Sequence, residues 1–90
     1  MFPIVRECSS HERCEDGYRC VPDADTWGVG MYDLNGTHIK TSEQRCADLC
    51  HHTLDCQVYE YSNTWGQCKL VAIDQQKDGR FKHWKYCVKG

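Results

Sequence analysis

Ninety residues with a net charge of −2 make one small domain, whose interior is too thin to hold the chain together by apolar packing alone. Eight cysteines, an even number, point to covalent staples and to an oxidising setting, extracellular or within a secretory organelle, and argue against a reduced cytosolic one. No apolar run approaches the ~20 residues that cross a bilayer, which argues against direct membrane insertion. The stretch Met1 to Cys8 has no basic region and no long apolar core, so it does not read as a signal peptide. Met1 is expected to be an expression start, and the chain one module of a longer secreted protein.

Residues 1–19 hold Cys8 and Cys14 among polar residues with no helical or strand period. They are expected to form an irregular leader or inter-module linker with its own disulfide, and Glu15-Asp16-Gly17 marks a turn. From Cys20 the texture changes. Trp27 to Leu34 carries strand-forming residues, Asn35-Gly36 is a hairpin turn, and Thr37 to Lys40 is the returning strand. Asn35-Gly36-Thr37 also fits the glycosylation sequon, although the tight turn accounts for it without a sugar.

Thr41 is expected to cap a helix, with Gln44 completing a capping box, and the helix to run from Ser42 to His51 or His52. Cys46 and Cys50 are four apart and share its inner face with Leu49. The runs 56–61 and 68–73 read as strands that each open on a cysteine, so the helix is expected to be stapled once to each. A loop containing Trp65 joins them. The chain closes on a further strand, from Phe81 to Val88, whose aromatics mix with charges on both faces.

The spacing Cys46-x3-Cys50-x5-Cys56, behind a capped helix and ahead of an aromatic strand and Gly66-Gln67-Cys68-Lys69-Leu70, resembles the PAN/apple domain family. The likeness runs from Cys20 to Cys87, so residues 20–90 are expected to be the domain proper. It implies an α+β fold, one helix packed on a curved antiparallel sheet. It also implies the bridges Cys20–Cys87, Cys46–Cys68 and Cys50–Cys56, which leave Cys8–Cys14 as the remaining pair. A second pairing stays open, in which Cys8 or Cys14 joins Cys87 and Cys20 enters the small bridge.

Rival chemistry is poorly supplied. Cys46, Cys50, His51, His52 and Cys56 are zinc-ligand types but lack a matching second pair, and all eight cysteines can be used in bridges. Asp23, Asp25 and Asp33 lack the order of a calcium loop. No free thiolate with a base and no nucleophile motif is present, so an enzyme, a cofactor or a metal is not expected. A binding surface remains. Trp65 is the best exposed aromatic, whereas Tyr59 and Trp84 are expected in the core. Lys77, Arg80, Lys82 and Lys85 would form a patch for a polyanion, against the plainer reading of a solvated charged face.

The family likeness implies recognition of a protein or a carbohydrate, with no role in binding nucleic acid. The expected function is one module among several in a secreted or cell-surface adhesin, a parasite microneme protein in host-cell attachment being one setting. The alternative is the docking module of a plasma-type serine protease, or a stand-alone secreted inhibitor, binding protein or heparin-like glycan.

Overall fold

The helix α1 (Glu43–His52) starts one residue later than the sequence suggests. Ser42, not Thr41, is the cap, and its hydroxyl accepts from the Arg45 N–H at 3.2 Å. The backbone of Thr41 is already committed to the sheet: its N–H donates to Gly66 at 2.9 Å and its carbonyl accepts from the Tyr61 hydroxyl at 2.7 Å. At the other end Thr53 closes the last turn, its hydroxyl donating to the Leu49 carbonyl at 2.6 Å. The orphan carbonyl of Cys50 takes both the Thr53 N–H, at 3.2 Å, and the Lys89 ammonium, at 2.8 Å.

This computed structural model describes residues 8–22, 24–25, 39–73, 77–78 and 84–90. Around α1 run β1 (Tyr18–Cys20), β3 (Ile39–Lys40), β4 (Val58–Ser62), β5 (Gln67–Val71) and β7 (Lys85–Lys89). They form one antiparallel sheet in the order β1-β7-β4-β5-β3. A separate two-stranded ladder joins β2 (Ala24–Asp25) to β6 (Lys77–Asp78). The Asn35-Gly36 turn, the sequon at Asn35 and the run Trp27–Leu34 lie outside the described residues. No helix among the described residues is long and apolar enough to cross a membrane.

Every residue of the central strand β4 is buried, because both of its faces are covered. Tyr59 and Tyr61 point to the helix side and pack with Cys46, Ala47, Cys50, Cys56, Leu70 and Cys87. Val58 points the other way and joins Val71, Tyr86 and Val88. Glu60 lies on that second face and pairs with Lys69 at 3.0 Å, which offsets the cost of burying either charge alone. Alternation of period two thus sorts β4 cleanly, with one ion pair placed where the pattern alone predicts an apolar residue.

Two of the four bridges are those the family likeness implies: Cys46–Cys68 and Cys50–Cys56. The other two differ. Cys8 joins Cys20 and Cys14 joins Cys87, so neither Cys8–Cys14 nor Cys20–Cys87 forms. The cause is the turn at Glu15-Asp16-Gly17, where Gly17 takes φ +88° and the Tyr18 N–H donates back to Glu15 at 3.2 Å. That reversal lays Cys14 over the helix-side core, towards which Cys87 points. Cys20, on the edge strand, is left to Cys8.

Residues 8–19 are therefore no separate leader. They carry a 3-10 turn at Ser10–Glu12 and then contribute β1 to the main sheet. They are also bound to the core through Cys14–Cys87.

Candidate binding surface

A polar network fastens this strap to the domain. The Tyr59 hydroxyl accepts from the Glu15 N–H at 2.9 Å and donates to Glu43 Oε2 at 2.8 Å. The second oxygen of Glu43 takes the Lys85 ammonium, which also donates to the Arg13 carbonyl at 3.0 Å. Tyr18 stands edge-on to Tyr59, with ring centroids 4.7 Å apart, and donates to the Ala47 carbonyl at 2.7 Å. Lys85 and Lys89 alternate with buried Tyr86 and Val88, so both face α1, one reaching its first turn and the other its last.

Burial, reinforced by the Glu43 carboxylate, pushes the Tyr59 phenol well above its ordinary range, although the Glu15 N–H acts the other way. Burial also raises Tyr18, with Asp48 adding to it. A raised phenol keeps its proton in the folded state after the unfolded chain has lost it. Its stabilisation is complete below pH ~10 and is lost as pH rises beyond that, by up to about 1.4 kcal/mol per pH unit for Tyr59 and by less for the more exposed Tyr18. Chemical denaturation between pH 8 and 11 should show this decline. In Tyr59→Phe the slope should shrink to the Tyr18 share, and an unchanged slope would count against the burial argument.

Lys85 is thus no part of an open cationic patch: its side chain is 11 % exposed and its charge is engaged by Glu43. Charge counting along the chain could not show this, because it ignores which face of β7 the residue occupies. Lys77 is described only as part of β6, and Arg80 and Lys82 lie outside the described residues. Of the four cations expected to form a patch, Lys85 is the one whose side chain is described, and it is committed to Glu43.

The aromatic expectation fares differently. Trp65 sits in the turn between β4 and β5, where Gly66 takes φ +60°, and its N–H donates to the Ser62 hydroxyl at 3.3 Å. The side chain is 49 % exposed. Register places Lys85 opposite Tyr61, which brings the preceding Trp84 beside the turn. The two indoles lie 6.1 Å apart at a tilt of 46°. Tyr59 is fully buried, while Trp84 is half-buried and supports Trp65 from behind. An aromatic ledge at one end of the sheet results.

A groove of about 330 Å³ lies elsewhere, between the strap and α1. Glu15, Asp16 and Tyr18 line one wall; Gln44, Ala47, Asp48 and His51 line the other. Its carboxylates make it acidic. The sequence reading missed it, yet a signal was present: Gln44, Asp48 and His51 form one polar stripe at helical spacing, beside the buried Cys46–Cys50 face. Among the described residues no three His, Cys, Asp or Glu side chains come together as a metal site. All eight cysteines are bridged.

Neither the curated proteins nor the solved structures include a match to this chain. The family model described as PAN domain matches residues 28–88, well over half of the chain. With one α-helix and a five-stranded antiparallel sheet among the described residues in agreement with it, the chain belongs to the PAN domain family.

Proposed function

We propose that this domain is an extracellular adhesion module, one of several in a secreted or cell-surface protein, and that it holds its ligand on the Trp65–Trp84 ledge. PAN domains are generally modules that bind proteins or carbohydrates, which supports a binding role. The observation that carries the reading is the ledge itself. Leaving half of a tryptophan in water forgoes the burial that would otherwise stabilise the fold, and such rings are the favoured anchors of interfaces. A flat indole backed by a second one also suits the apolar face of a sugar ring.

The docking-module alternative, in a plasma-type protease or a secreted inhibitor, draws on a cationic surface for heparin-like glycan. Engagement of Lys85 by Glu43 weakens that surface. A glycan array, a heparin column near physiological salt and binding to intact cells separate these readings.

Trp65→Ala should lower binding to whichever ligand is retained by about tenfold or more, the scale of an interface anchor, with little change in thermal midpoint. Retention on heparin that survives the Trp65→Ala change would overturn the ledge and favour the alternative.

A further inference from the structure

We propose that Cys8–Cys20 and Cys14–Cys87 form an exchangeable pair of bridges. In the proposed reaction an external thiolate of the glutathione class isomerises them to Cys8–Cys14 and Cys20–Cys87, unlatching residues 13–17 from the core. Cys20 and Cys87 are direct partners on the antiparallel strands β1 and β7, yet each is bonded to a different cysteine. The Val21 N–H donates to Tyr86 at 3.0 Å, which makes Cys20 and Cys87 a non-hydrogen-bonded pair. Cα atoms at such pairs lie about 4.5 Å apart with side chains on the same face, within the range a disulfide spans. The two bridges are therefore neighbours, and a second combination of the same sulfurs is within reach.

The exchange balances without an oxidant. The thiolate attacks Cys8 Sγ, which is partly exposed at the domain edge, forming a mixed disulfide there and releasing the Cys20 thiolate. Cys20 attacks Cys87 Sγ across the strand pair, forming Cys20–Cys87 and releasing the Cys14 thiolate. Cys14 then attacks Cys8 Sγ, closing Cys8–Cys14 and returning the external thiol. Cys87 itself is fully buried, so an external thiol cannot begin at that sulfur.

Chain entropy chooses only weakly between the two isomers: exchange halves one loop, from 12 residues to 6, and shortens the other from 73 to 67, about a threefold effect in all. The latched form is held by the contacts of the strap: the Glu15 N–H on Tyr59 and the Arg13 carbonyl on Lys85. Exchange breaks those contacts and dismantles one wall of the acidic groove, while β1 stays tied to β7. The device thus opens or closes a surface feature with the sheet intact.

Incubation of the whole chain in a glutathione buffer, followed by acid quenching and peptide mapping, tests this. Both sets of bridged peptides are expected, with Cys46–Cys68 and Cys50–Cys56 unchanged. Tyr59→Phe should raise the exchanged fraction by about tenfold, the effect of one lost hydrogen bond of ordinary strength. Persistence of the original pairing alone would overturn the proposal, as would exchange that always scrambles the other two bridges. As a second readout, Cys8→Ser with Cys14→Ser should still form Cys20–Cys87 and unfold cooperatively. Free thiols at Cys20 and Cys87 in that variant would equally overturn it.

Discussion

Replacing Cys14 and Cys87 together by serine should lower stability by about 4 kcal/mol, the largest loss from any one bridge. The bridge spans 73 residues, against 22 for Cys46–Cys68, 12 for Cys8–Cys20 and 6 for Cys50–Cys56. The chain-entropy account makes the longest loop worth about 4 kcal/mol and the shortest about 2. Set against the roughly 5–15 kcal/mol of a whole domain, that loss should drop the thermal midpoint by about 15 °C or more. The structural term points the same way. Cys87 is fully buried beside Tyr59, and loss of the bridge leaves β1 attached to β7 by a three-residue edge ladder alone. Thermal unfolding of this double variant beside Cys50→Ser with Cys56→Ser gives the comparison. A shift no greater in the first than in the second would refute the entropic ranking.

The comparison with the sequence turns on scale. Helix α1 was legible because its capping residues and its cysteine spacing agree with one another, and only the choice between Thr41 and Ser42 was missed. Resolving it needed tertiary knowledge, that Gly66 and Tyr61 already hold the Thr41 backbone. Strands β4 and β5 were legible as β-prone runs behind cysteines. Strand β4 starts two residues later than expected because Cys56 is used in the turn, its N–H donating to the Thr53 carbonyl at 3.0 Å, while β5 starts one residue earlier than expected and ends two earlier. Strand β1 was not legible. Three residues give no period, and its existence depends on β7, nearly seventy positions away in the chain.

The cysteine pairing shows the same limit. Cys14 and Cys20 are close in sequence and equally able to reach Cys87 by length, so spacing alone leaves the choice open. The turn at Gly17 carries Cys14 against the core, whereas the face of the sheet does not discriminate, since Cys20 stands opposite Cys87 on the same face. The ledge was half legible: a tryptophan between Thr64 and Gly66 reads as an exposed loop residue, but its support by Trp84 follows from the register of β7 on β4.

Glu43→Ala should be a severely damaging single change, costing about 3 kcal/mol. Glu43 is the hub at which three segments meet: the strap through Arg13 and Glu15, the helix on which it sits, and β7 through Lys85. Truncation strands the Lys85 ammonium, only 11 % exposed, with a single backbone carbonyl, and removes the acceptor of the buried Tyr59 hydroxyl. Breaking a buried pair from one side is the expensive direction, since the remaining charge keeps its desolvation cost without its partner. Two further variants separate that cost from the loss of packing. Glu43→Gln keeps an acceptor for Tyr59 and should lose only about 1 kcal/mol. Adding Lys85→Met to Glu43→Ala removes the stranded charge and should recover part of the stability, which a simple cavity would not allow. Urea denaturation at neutral pH reads all three through the midpoint at constant slope. If Glu43→Ala and Glu43→Gln prove equally mild, Lys85 must reach water on its own, and the strap is held by its disulfide and not by this network.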